Sequence, residues 1–207
     1  MPTDHYRQAA KIYDLWARLT EAKAAHIAFE QAQVLAGEAV LEVAVGTGLY
    51  FARIVAANPT GRNEGVELSP AMLTKALARL EAIESDNYHL QSGDARGLPF
   101  PDASFDLLAN NYMLDLLPEA DFDPVLAEFH RVLKPGGRLV VSTMAPGPRW
   151  YHRFWGWLAD SYPALLTNCR PISIAGQVEA AGFTVNNRTF VSQNTFPSEI
   201  VSAGKPV

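Results

Sequence analysis

The sequence predicts an α/β domain built on a doubly wound, mostly parallel sheet of seven strands, with helices at the N-terminus and an aromatic-rich insertion. Three observations carry that expectation. From Gly37 onward, short apolar runs alternate with longer amphipathic ones, the pattern of strands joined by crossover helices. The first run, VLEVAVGTGLY at 40–50, ends in small residues where a strand would pass into a helix. Asn58-Pro59, Ser69-Pro70 and Lys134-Pro135-Gly136-Gly137 fall between runs and not inside them.

Taken in order, Asp4 to Leu35 is helical in period, with Tyr6, Ala9, Tyr13, Trp16 and Ala17 at three- and four-residue steps and a second set after Thr20. Two helices are expected to meet near Thr20. Ala39 to Ala44 is the first strand, and Leu49 to Ala57 a helix closed by Asn58-Pro59. Gly61 to Leu68 is the second strand; Ser69-Pro70 then supplies an N-cap and first turn for a helix over Ala71 to Glu84. Tyr88 to Gln91 and Phe105 to Asn110 are strands three and four. A helix starting at Asp123-Pro124 buries Val125, Leu126, Phe129, Val132 and Leu133, and Lys134 to Gly137 stops it. Arg138 to Met144 is the fifth strand, Ser173 to Ala181 a helix, and Phe183 to Phe190 and Phe196 to Ala203 the last two strands. One domain is expected: a helical cap at 1–37, a core at 38–145, an insertion and helix at 146–182 and a strand pair at 183–207.

Composition narrows the function. With 207 residues, 48% of them hydrophobic and 19% charged, the chain buries a sizeable core. A net charge of -5 offers no basic surface for phosphates, which argues against nucleic acid as partner. The single cysteine, Cys169, forms no intramolecular disulfide, and no Cys/His cluster has metal spacing, so no metal is expected and a reducing cytoplasm fits. The N-terminus lacks a signal-peptide apolar core, and roughly 18 consecutive apolar residues occur nowhere, so no membrane span is expected.

The small-residue turn suits a nucleotide-like ligand, because glycines let the ligand approach the backbone beside a helix N-terminus. A dinucleotide site wants G-x-G-x-x-G/A, and neither frame supplies a small third residue: one ends at Leu49, the other at Phe51. The alternative acid-x-G-x-G-x-G is met by Glu42-Val43-Ala44-Val45-Gly46-Thr47-Gly48, with alanine in the first small position. Glu67 ends the second strand about 20 residues on, where a carboxylate accepts ribose hydroxyls. Asp94 follows the third strand. Three acids at the ends of successive strands therefore face one ligand edge.

Here the chain resembles the class I S-adenosylmethionine-dependent methyltransferases, on the turn at 42–48 and on the segments LPFPDASFDLLANNYML and EFHRVLKPGGRLVVST. The resemblance covers about residues 38 to 145. It implies S-adenosylmethionine as cofactor, with Glu42, Ala44, Gly46, Thr47 and Gly48 at its methionine end, Glu67 and Leu68 at the ribose, Asp94 and Ala95 at the adenine, and Asn111 and Tyr13 near the methionine moiety. The nearest flavour is the group with quinone-ring and bacterial phospholipid methyltransferases, which share a LEVxVGTG-like turn and a Tyr...Tyr-Asp start, here Tyr6 and Tyr13-Asp14. The loop NNYMLDLLP lacks the arginine of the quinone enzymes. Methyl transfer needs alignment and exclusion of water, with a base only where the acceptor must lose a proton, so no catalytic residue is assigned. Tyr6, Tyr112, Trp150 and Trp155 are the candidates for a substrate wall. The expected function is cytoplasmic methyl transfer to a small-molecule or lipid-like acceptor; the alternatives are a non-catalytic cofactor-binding module and an NAD(P)-binding oxidoreductase.

Overall fold

A computed structural model describes residues 14–83, 85–162 and 169–207. Its strands are β1 Ala39–Val43, β2 Arg62–Glu67, β3 Tyr88–Ser92, β4 Phe105–Asn111, β5 Leu133–Met144, β6 Thr184–Gln193 and β7 Phe196–Gly204. The helices are α1 Ala22–Ala32, α2 Leu49–Ala57, α3 Pro70–Leu80, α4 Phe122–Val132, α5 His152–Ser161 and α6 Ala175–Ala180. The strands form one sheet in the order β3-β2-β1-β4-β5-β7-β6. β1 pairs in parallel with β2 and β4, and β7 runs antiparallel to both its neighbours. Strand order reverses between β1 and β4, and that reversal opens a crevice at their C-terminal ends.

Each face of the sheet is covered by helices whose apolar period matches it. Phe122, Val125, Leu126, Phe129 and Val132 form the buried stripe of α4 and pack with Phe105, Leu108 and Val178. On the other face Ala24, Ala28 and Ala32 of α1 join Phe51, Ile54, Ala76 and Leu80. The alanine stripe lets α1 lie close to the strands. Burying a side chain such as Phe129 stabilises the fold by roughly 1.5–3 kcal/mol. Ser69 caps α3 by accepting the Met72 N–H at 3.4 Å, with Pro70 at the first helical position.

The expected elements are present, with shifted ends. The break near Thr20 is real: residues 14–20 are helical, Glu21 is a turn, and α1 follows. Residues 1–13, with Tyr6 and Tyr13, lie outside the described residues. Lys134 to Gly137 is not a helix stop followed by loop. β5 already begins at Leu133, which pairs with Phe105 across a register shift before Leu107. Gly136, at φ 76, makes the bulge possible, and its N–H donates to the Lys205 carbonyl at 2.9 Å. The helix expected over Ser173 to Ala181 is the shorter α6, and β6 runs on to Gln193.

Candidate active site

The site is built on the turn that leaves β1. Ala44, Gly46 and Gly48 all have positive φ, at 63, 57 and 80 degrees. Glycine accepts this freely, whereas Ala44 is held there at a cost of about 1 kcal/mol. The backbone N–H groups of Ala44 and Val45 compensate by donating to the Val66 carbonyl, at 2.7 and 3.2 Å. Gly48 is required twice over, since a Cβ there would lie 3.1 Å from the Ala76 Cα. Asp14 and Arg79 clamp the turn from outside. Thr47 Oγ1 donates to Asp14 Oδ1 at 2.7 Å, and Arg79 donates to Asp14 Oδ2 at 2.6 Å and to the Thr47 carbonyl at 2.8 Å.

The three acids converge as expected, each in a different state. Glu67 accepts N–H bonds from Gly46 at 2.9 Å and Ser69 at 2.8 Å. Burial pushes its carboxyl upward, and these backbone donors offset part of the rise. Asp94 is partly exposed and bound by Arg96 at 2.6 Å, a guanidinium that holds its carboxyl below the usual range. Glu42 is 2% exposed, and burial pushes it well above the ordinary carboxylate range, with the Asn111 amide opposing and the Glu67 charge adding.

Two adjoining cavities occupy the crevice. The larger, of about 640 Å³, is lined by Glu67, Leu68, Asp94 and Ala95 at and after the ends of β2 and β3, and by Met113, Leu116, Leu117, Val125 and Cys169. The smaller, of about 220 Å³, is bordered by Arg18, Glu42, Thr47, Tyr50 and Arg53. Glu21, Ala44, Gly46, Asn111 and Tyr112 line both. Polar atoms around the smaller cavity lack partners: Glu42 Oε2 and the Tyr50 hydroxyl have no hydrogen bond among the described residues, and the Asn111 amide has the Glu42 carboxyl as its neighbour. Buried polar groups are normally satisfied, so this orphaned set marks a site for a polar ligand.

Asn110 and Asn111 divide the work at the end of β4. Asn110 Nδ2 donates to the Val43 carbonyl at 2.8 Å and ties the two central strands, while Asn111 faces the cavities. Tyr112, at φ 50, is anchored by its N–H to the Ser142 carbonyl and by its hydroxyl to Ser198 Oγ at 2.7 Å. The tryptophans of the insertion go elsewhere. Trp155 packs edge-on against Phe196 at 5.2 Å and Trp16 at 6.1 Å, with Nε1 donating to Thr195. Trp150 is 82% exposed, and neither lines either of these two cavities. Phe196 and Trp16 occupy the inward side of α5, which leaves Trp150 at its N-terminal end turned to solvent. Tyr6 and Tyr13 are not among the described residues.

Sequence reasoning missed Glu21 and the apolar wall of the larger cavity. A signal for Glu21 existed: helical spacing places it with Ala17, Ala24 and Ala28 on a stripe that is buried throughout. Its carboxyl is pushed up to about 8 by burial first and by the nearby Asp115 second, while the Trp16 indole N–H at 3.1 Å opposes the shift. Asp115, fully buried, rises to about 7 for the same leading reason.

Comparison with known proteins places this geometry. A family model described as a methyltransferase domain matches residues 40–137. A demethylmenaquinone methyltransferase of Lactococcus lactis is 35% identical over 138 residues, which is 66% of this chain and 51% of that protein. A ubiquinone/menaquinone biosynthesis C-methyltransferase of Paracoccus denitrificans is 32% identical over 173 residues, 81% of this chain and 66% of that protein. The chain thus spans between half and two thirds of these relatives. The crystal structure of a SAM-dependent methyltransferase from Aquifex aeolicus superposes with a TM-score of 0.73 at 18% identity, covering 96% of this chain and 98% of that one, and shares its fold.

Proposed function

The chain belongs to the class I S-adenosylmethionine-dependent methyltransferase family, and from that premise we propose that it transfers the S-methyl group to a small, largely apolar acceptor. The observation that carries this reading is the lining of the larger cavity, which joins the acids Glu67 and Asp94 to the apolar side chains of Met113, Leu116, Leu117 and Val125. The orphaned polar atoms fit the cofactor. In this reading Glu67 accepts the ribose hydroxyls, Leu68 and Ala95 flank the adenine, and Asp94 accepts its amino group. Glu42 and Asn111 receive the amino end of the methionine moiety, with Arg18 and Arg53 at the smaller cavity for its carboxylate.

Bound, the cofactor supplies an electrophilic methyl group on a positively charged sulfur. The chain's own contribution is positional. The turn at Ala44 to Gly48 and the Asn111 amide fix one side, and Val43, Met113, Leu117 and Val125 exclude water from the other. The relatives are named for demethylmenaquinone and for ubiquinone/menaquinone biosynthesis, and the apolar residues of the larger cavity suit a ring of that class with a lipid-like tail. No helix among the described residues is long and apolar enough to cross a membrane, and a cytoplasmic location belongs to the same reading. Calorimetry with S-adenosylmethionine and S-adenosylhomocysteine, followed by turnover of methyl-labelled cofactor against a panel of quinols and phenols, tests it. Micromolar binding with label appearing in the organic phase is expected. Binding without turnover on any acceptor of the panel would overturn the quinol assignment, and no binding would overturn the cofactor site.

A further inference from the structure

The reading above leaves one buried acid without a task. We propose that Glu21 recognises the positive sulfur of the cofactor, releasing its own proton when the charged methyl donor binds and retaining it when the neutral, demethylated product binds. The inference rests on the proposed function and names a binding residue beyond the three strand-end acids.

Position comes first. Glu21 sits at the break between the helical residues 14–20 and α1, is 6% exposed, and lines both cavities with Ala44, Gly46, Asn111 and Tyr112. A ligand with its adenosine end between Glu67 and Asp94 and its amino-acid end in the smaller cavity must pass the wall they share. The sulfur joins those two ends, so it passes the wall that Glu21 shares with Ala44, Gly46, Asn111 and Tyr112.

The groups around Glu21 leave its charge unmatched. From the helical residues 14–20, Trp16 Nε1 donates to Oε1 at 3.1 Å, and Arg18 lines the smaller cavity. From β1 comes the Glu42 carboxyl, and from α2 the Arg53 guanidinium. From the segment after β4 come the Tyr112 hydroxyl and the buried Asp115; Cys169, which bonds Asp115, lines the larger cavity. Glu21 makes no ion pair with a described residue, and Arg53, at the smaller cavity where the ligand's carboxylate is proposed, lies over the Phe29 ring at 4.1 Å. Apart from the two arginines of the smaller cavity the surroundings are apolar, aromatic or acidic, and the charge that bears most on Glu21 is the like charge of Asp115. In them the neutral form is favoured until a cation arrives, and the raised titration of this carboxyl agrees. An incoming sulfonium supplies the missing positive charge and shifts the carboxyl toward its ionised form, with the proton passing to solvent. A thioether supplies no charge and leaves the proton in place.

Isothermal calorimetry of the full chain at pH 7, in buffers of different protonation enthalpy, reads this directly. The α-amino group common to both ligands cancels in the comparison. Wild type is expected to release roughly half a proton more on binding S-adenosylmethionine than on binding S-adenosylhomocysteine, and the ratio of the two affinities should rise about fivefold from pH 6 to pH 8. In Glu21→Gln the excess release and the pH trend should vanish, with product affinity kept within about threefold. Equal proton counts for the two ligands in wild type overturn the proposal whether or not the variant folds. An excess that persists in Glu21→Gln assigns the proton to another group and overturns it too. Failure of both ligands to bind overturns the cofactor site itself, an outcome distinct from these.

Discussion

Glu21 also makes the ligand-free protein's stability depend on pH in a direction opposite to the usual carboxylate. Its folded-state pKa is raised from 4.5 to about 8. Between those values the folded protein holds a proton that the unfolded chain has released, so stability is fully present below 4.5 and is lost as pH rises through 8. The slope reaches about 1.4 kcal/mol per pH unit. Integrated from pH 6 to pH 8, with the group half ionised at the upper limit, the loss is about 2 kcal/mol. Asp115, raised to about 7, adds a slope of its own. Comparison of wild type with Glu21→Gln, which cannot ionise, removes that background to first order. Urea denaturation at pH 6, 7 and 8 without ligand is the assay. The stability of the variant relative to wild type should climb by about 2 kcal/mol across the range. A gap constant to within about 0.5 kcal/mol would show that Glu21 is not a buried proton carrier, and the argument from burial would fail.

At the adenosine end, Glu67→Ala and Asp94→Ala should each weaken cofactor binding by about 1–3 kcal/mol, the cost of losing charge-assisted hydrogen bonds. Asp94 belongs at the lower limit because it is partly exposed and shared with Arg96, and calorimetry on folded variants compares the two. In the insertion, Trp155→Ala should lower stability by about 3 kcal/mol through the cavity left beside Trp16 and Phe196. Trp150→Ala, at an exposed position, should stay within about 0.5 kcal/mol in the same denaturation assay.

The sheet was legible because its inner strands β1, β4, β5 and β7 are mostly buried and therefore read as apolar runs between amphipathic helices. β1, α2 and β4 fall within a residue of expectation for that reason. The Lys134 to Gly137 segment was not legible. Its glycines are turn formers by composition, and only the pairing of the preceding Leu133 with Phe105 and the backbone bonds of Gly136 and Gly137 to Lys205 make it strand. The same division runs through the site. Glu42, Glu67 and Asp94 could be found because parallel topology forces the ends of successive strands to one edge. Glu21 approaches from a separate layer, and its place at the cavity wall depends on how α1 docks. The tryptophans mislead for a related reason: aromatic surplus in sequence does not say which side chain meets a neighbouring helix and which meets solvent.

The tension within the site follows from its task. Away from the crevice, the core beneath α4 is built from apolar side chains. At the crevice, Ala44 is held at positive φ, Glu42 and Tyr50 are buried with atoms unpaired, and Glu21 and Asp115 are acids driven toward neutrality. Each unpaired group costs about 1–3 kcal/mol, so the cluster lowers the stability of the free protein by several kcal/mol. A sequence selected for stability alone would place apolar residues there. In the proposed reading a ligand with a sugar, an amino acid and a cation satisfies these groups. Occupancy at a hundredfold over Kd returns about 2.7 kcal/mol to the fold. Stability withheld from the empty site thus reappears on binding, and because the charge of the sulfur is one of the terms, it reappears more fully for the methyl donor than for its spent form.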